Sequence, residues 1–145
     1  MFDRILIAYD GSTEAKKALD TGLRLAATLG SAATLVTVME PLPGYVNIAQ
    51  TLAPSLPAEL RQASRQRFEE MQLEVKQRAS KTGVAITTLL IEGRETRGIL
   101  EATKTTHADL LVVGLRRHAT NVELAGTVRR IANECPCPIL AVSAC

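Results

Sequence analysis

The chain contains no tryptophan and only four aromatic residues, Phe2, Tyr9, Tyr45 and Phe68. Its core therefore has to be aliphatic, and it lacks the stacking platforms that single-stranded nucleic acid needs. Charge of one sign is also missing: 17 basic and 15 acidic residues leave a formal +2, too little for a polyanion-binding surface. No apolar run approaches the roughly 18 residues that cross a bilayer, and Ile5-Leu6-Ile7 after Met1-Phe2-Asp3-Arg4 is too short for a signal peptide. Neither nucleic acid nor membrane is expected as a partner, and the cytoplasm is the expected location. The cysteines, Cys135, Cys137 and Cys145, are odd in number and crowded at one end, unlike a disulfide framework. The Cys-Pro-Cys step lacks the two-residue spacer of a zinc knuckle, so these residues read as small, partly buried thiols and no metal site is expected.

What is present is an ordinary globular balance, 46% hydrophobic and 22% charged over 145 residues, which suits one domain around one core. Short aliphatic runs alternate with helical periodicity, the pattern of β-α units around a mostly parallel sheet. Ile5–Tyr9 is a continuous apolar run, as expected of a strand covered on both faces. After Asp10-Gly11-Ser12, Ala15, Ala18, Leu19, Gly22, Leu25, Ala26 and Leu29 recur at three- and four-residue steps up to Gly30. That spacing predicts a helix with one apolar face, capped at its start by Asp10 or Ser12 and ended by Gly30.

Thr34–Met39 is the second expected strand, rich in β-branched residues. A loop is expected from Pro41 to Pro57, long enough to serve as a lid, an interaction arm or a variable insertion. Ala58–Thr82 reads as one charged helix with a looser apolar stripe through Leu60, Ala63, Phe68, Met71, Val75 and Ala79. Further strands are predicted at Val84–Ile91, Ala108–Gly114 and Pro138–Val142, with helices at Thr96–Thr106 and Gly126–Glu134.

In an open parallel sheet, ligands gather beyond the carboxyl ends of the strands, where the strand order reverses. Three segments qualify: Ala8–Ser12, Val38–Glu40 and Gly114–Thr127. The last combines a glycine after a buried strand, the basic run Arg116-Arg117-His118, and Gly126-Thr127 at a helix start, which are the parts of a phosphate cradle. No Gly-x-Ser-x-Gly elbow, zinc-spaced histidine pair or Walker lysine occurs. Ser12, His118 and Asp109 do not make a triad, because Asp109 falls at the opposite end of its strand. His107, ahead of the fourth strand, reads as a surface residue.

The order of elements, with Ile-Leu-Ile-Ala-Tyr-Asp-Gly-Ser, Ala-Asp-Leu-Leu-Val-Val-Gly, Gly-Thr-Val and Cys-Pro-Ile-Leu-Ala-Val, resembles the universal stress proteins along essentially the whole chain. The resemblance implies a three-layer α/β domain of adenine nucleotide alpha hydrolase-like fold, with a five-stranded parallel sheet of order 3-2-1-4-5. It also implies a homodimer through the fifth strand and, in one branch of the family, ATP at the ends of the first and fourth strands, with Mg accompanying the phosphates. That branch carries a G-x2-G-x9-G-[ST] pattern. Here Gly114 matches the first glycine and Gly126-Thr127 the end, but Arg117 replaces the second glycine and only eight residues separate it from Gly126.

A side chain at position 117 hinders a backbone amide from approaching phosphate. Arg116 and Arg117 can instead bind phosphate through their guanidinium forks, or simply form a solvated basic loop. By resemblance Asp10 contacts the nucleoside, Val38 recognises adenine through its backbone and Ala8 lies near the base. From the residues alone, Asp10 is also a candidate helix cap, although its place at the strand-order reversal favours a ligand contact; Val38 and Ala8 are equally strand core, and Thr127 is a phosphate-binding hydroxyl, an N-cap or both. Three readings follow: a stress-response regulatory module binding ATP, ADP or AMP, with a possible protein partner; a nucleotide-free dimeric interaction module; or, at most, a slow ATPase.

Overall fold

A computed structural model describes residues 1–116 and 126–144. The elements run β1 (Arg4–Ala8), α1 (Thr13–Leu29), β2 (Ala32–Met39), α2 (Gly44–Ala49), α3 (Leu56–Lys81), β3 (Ile86–Glu92), α4 (Glu95–Thr105), β4 (Leu110–Leu115), α5 (Gly126–Glu134) and β5 (Ile139–Ser143). All strand pairs are parallel and the order is β3-β2-β1-β4-β5. The sheet thus grows outward from β1 in one direction through β2 and β3, and in the other through β4 and β5. Because β-α-β crossovers keep one hand, this reversal puts α1 and α3 on one face of the sheet and α4 and α5 on the other.

Alternation along the strands divides the core into two. Ile5, Ile7, Leu35 and Val112 pack with Ala15, Ala18, Leu19 and Ala26 of α1 and Val75 and Ala79 of α3. Leu6, Val36, Leu111 and Val113 pack on the other face with Ile99 and Ala102 of α4 and Val128 and Ile131 of α5. The central strands are covered twice, which is why they read as unbroken apolar runs. On β2, the Thr37 hydroxyl is buried and finds no hydrogen-bond partner among the described residues.

Local chemistry sets the helix ends. Ser12 is the N-cap of α1, its Oγ accepting from the Ala15 amide at 3.2 Å, and Gly30 ends the helix in the left-handed conformation at φ 67°. Two expectations are corrected. The stretch from Pro41 to Pro57 is not one loop: α2 occupies its middle, and α3 begins at Leu56 with Pro57 in its first turn, where a missing N–H does no harm. The apolar stripe of α3 is also shorter than expected, since Leu60 and Ala63 are exposed and the buried residues are Gln72, Val75 and Ala79. Gln72 is tolerated there because its Nε2 donates to the Leu89 carbonyl oxygen at 2.8 Å.

At the amino ends of the strands, Asp109 accepts from the backbone N–H of Asp3 at 2.8 Å and of Arg4 at 2.9 Å. Burial works against its charge, but these backbone donors outweigh burial and hold its pKa below the usual carboxylate value. His107, just before it, is exposed with φ 53°. Replacing Asp109 by alanine is expected to lower stability at neutral pH by about 1 kcal/mol, the bonds being surface-exposed. A depressed folded pKa means that this contribution is complete above the unfolded value near 3.9 and is lost as pH falls through the folded one. Urea denaturation of both proteins across pH checks this: the gap should close in acid, and an unchanged gap there would contradict the charge-assisted bonding.

Candidate functional site

The carboxyl ends of β1, β2 and β4 border a cavity of about 370 Å³. Ala8, Val36, Val38, Ile99, Val113, Val128 and Ile131 give it an aliphatic interior. Its polar members are Tyr9, Asp10, Ser12, Glu14, Glu40, Glu95, Arg116 and Thr127, with Phe68 of α3 closing one side. The cavity is of ordinary small-molecule size, an apolar body with a few convergent polar groups.

The β1–α1 turn is held by its own residues. Asp10 Oδ1 accepts from the Ser12 amide at 2.9 Å, while Ser12 caps the helix. The cap expected from either residue thus belongs to Ser12, and Asp10 instead fixes the turn. Asp10 Oδ2 has no hydrogen-bond partner among the described residues. Gly11 adopts φ 82°, and a Cβ there would stand 2.9 Å from Met71 Sδ, so a side chain would meet both strain and α3.

Gly114 has a packing reason to be glycine. A Cβ at this position would stand 2.7 Å from the Glu14 carbonyl carbon and 2.8 Å from the Ala15 nitrogen. The first turn of α1 therefore rests directly on β4. Next to it, exposed Arg116 reaches Glu14, Nε to Oε2, at 3.6 Å.

Of the residues singled out in the sequence, Ala8, Asp10, Val38, Gly114, Arg116 and Thr127 line this one cavity. Gly126 is the first residue of α5, and Arg117, like His118, lies outside the described residues. The sequence reading missed Glu95 and Glu14, and took Phe68 as helix stripe alone. An acidic residue in the first turn of a helix is ordinary complementarity to the helix dipole, so Glu95 and Glu14 carried no distinctive signal.

Among the described residues the cavity is acidic, with four carboxyl groups and one guanidinium lining it. The Glu95 pKa is raised, first by burial and then by the neighbouring charges of Asp10 and Glu40, with Arg116 partly opposing them. Burial also raises the Tyr9 phenol, partly countered by Arg78 and reinforced by Glu74, Asp10 and Asp20. Tyr9 is therefore a neutral hydroxyl at physiological pH.

Comparison with known proteins agrees with this architecture. A "universal stress protein in QAH/OAS sulfhydrylase 3′ region" of Thermus aquaticus is 34% identical over 145 residues, covering 98% of this chain and 99% of that protein. The crystal structure of a universal stress protein family member from Burkholderia pseudomallei superposes with TM-score 0.76 at 27% identity, covering 97% and 96% of the two chains. A universal stress protein solved in complex with cAMP superposes with TM-score 0.71 at 18% identity, covering 99% and 98%, a likeness of fold. The universal stress protein family model matches residues 1–143, and the chain belongs to that family.

Proposed function

We propose that this chain is a regulatory module whose cavity at the β1/β4 switch point binds an adenine nucleotide of low charge. The observation that carries the reading is the convergence, on one cavity, of an aliphatic interior beside Ala8 and Val38, the Asp10 carboxylate, and the start of α5 at Thr127. A purine fits the first, a ribose hydroxyl can donate to the second, and an anion is favoured at the third. The cAMP bound by a protein of the same fold supports a ligand of this class.

Charge argues for a monophosphate over a triphosphate. Among the described residues, Asp10, Glu14, Glu40 and Glu95 line the cavity with only Arg116 against them, and Arg116 is already engaged by Glu14. No cluster of three His, Cys, Asp or Glu among the described residues is placed to hold a metal, and on this reading any Mg comes with the phosphates.

Two observations favour a second reading, a nucleotide-free dimeric module: packing alone accounts for Gly114, and an ion pair occupies Arg116. Under either reading we propose a homodimer through β5. This strand ends the sheet, and Ile139, Leu140 and Val142 on it are only half-buried, so one edge is available for pairing with a second copy. Light scattering should give twice the chain mass for the native protein and a shift toward monomer for Ala141→Lys, an exposed position on β5. A monomeric native protein at all concentrations would refute the pairing.

Calorimetric titration with adenosine, cAMP, AMP and ATP tests the ligand. AMP and cAMP should bind more tightly than ATP in the absence of Mg, and Mg should narrow the gap. Glu95→Gln removes one opposing charge and should strengthen ATP binding by about two- to five-fold while leaving adenosine unchanged. Tighter binding of free ATP than of AMP would overturn the low-charge preference. If none of the four ligands binds, the nucleotide reading fails and the nucleotide-free module stands.

A further inference from the structure

The Cys-Pro-Cys step lies at the corner between α5 and β5, away from the cavity. Cys135 follows the last residue of α5, its amide donating to the Ile131 carbonyl at 2.8 Å. Cys137 precedes Pro138, whose carbonyl accepts from the Leu111 amide at 3.0 Å. Both thiols are half-buried against the α4/α5 side of the core. Their Sγ atoms approach to 3.5 Å, within sulfur hydrogen-bond distance. The two sulfurs thus face each other across the single intervening Pro136.

From this juxtaposition we infer that Cys135 and Cys137 form a reversible intramolecular disulfide, making the α5–β5 corner a two-electron redox site that peroxide oxidises and low-molecular-weight thiols reduce. The separation in sequence holds the two Cα atoms to no more than about 7 Å, the upper edge of disulfide reach, and the Sγ atoms, 3.5 Å apart, need to close by only about 1.5 Å to reach bonding distance. A ring closed across one residue is constrained in geometry, which makes its bond readily reducible and suits a labile link better than a structural one.

The chemistry balances with peroxide as the oxidant. Cys135, as thiolate, attacks one peroxide oxygen; the O–O bond breaks, the departing hydroxide is protonated to water, and Cys135 becomes a sulfenic acid. The Cys137 sulfur then attacks the Cys135 sulfur, the S–O bond breaks, and hydroxide leaves with the Cys137 proton as a second water. Two thiols lose two electrons and two protons, and one peroxide becomes two waters. The order follows from Cys137: burial, reinforced by its hydrogen bond to Cys135, pushes its pKa up to about 12, so it enters as the resolving thiol and not as the initial nucleophile. Reduction reverses the state by thiol–disulfide exchange. Because α5 (Gly126–Glu134) carries Thr127 on the cavity and Cys135 directly follows its last residue, ring closure acts at the far end of a cavity-lining helix.

The test uses the full chain carrying Cys145→Ser, which removes the third thiol, and the same protein with Cys137→Ser added. After hydrogen peroxide, the first protein should lose both titratable thiols, fall in mass by two hydrogens, stay free of interchain links on a non-reducing gel, and recover both thiols with glutathione. The second should show no such mass loss. A gain of oxygen mass in place of the loss, an interchain disulfide as the main product, or two thiols still titrating under conditions that oxidise dithiothreitol would each overturn the inference.

Discussion

The first turn of α1 lies on the backbone of β4. At Gly114 there is no room for a methyl group between the strand and the Glu14–Ala15 peptide, and this contact governs what the carboxyl end of the sheet can look like. It brings the α1 start over the seam between β1 and β4, the place where the strand order reverses. It also fixes where Glu14 points, and hence which partner Arg116 meets. Two related approaches brace the layers: a Cβ on Gly22 would press on Ile7 at 2.7 Å, and one on Gly98 on Val38 at 2.8 Å. In close-packed layers such contacts leave little freedom to slide, so the cavity inherits its shape from where the helices are able to lie close.

Within that frame, polarity is distributed unevenly. The interior is aliphatic, as a chain with so few aromatics requires, and the rim is acidic. A carboxylate such as Glu95, held near Asp10 and Glu40 with its pKa raised, disfavours each added negative charge on a ligand. The start of α5 works in the opposite sense. On the reading proposed here, a ligand carrying a purine and one phosphate would gain from the apolar interior and the helix end while meeting less of the repulsion than a triphosphate.

The fold was legible because its signals reinforce one another: unbroken apolar runs at β1 and β4, three- and four-residue spacing along α1, and Ser12 and Gly30 at its ends. The strand-end rule then selected segments of which Ala8, Asp10, Val38, Gly114, Arg116 and Thr127 line one cavity. Less could be read where one residue type serves two purposes. Gly114 matches a phosphate-binding pattern, yet its contact with α1 demands glycine without any ligand. Glu95 has the look of any helix-starting acid, and only the approach of β1 and β2 gives it Asp10 and Glu40 as neighbours. The short α2 lay hidden among prolines and glycine, and Leu60 and Ala63 were misleading because spacing cannot tell how far along α3 the sheet extends. The cysteines read as bland thiols because sequence spacing does not reveal that two sulfurs face each other at 3.5 Å.

The most direct measurement is the unfolding free energy of Gly114→Ala in the absence of any nucleotide, obtained by urea denaturation beside the native chain. If the contact between α1 and β4 is the constraint described, the added methyl should lower stability by about 1–3 kcal/mol, the range for overpacking a close contact. Equal stability of the two proteins, with only ligand binding reduced in the variant, would contradict it and return Gly114 to the ligand alone.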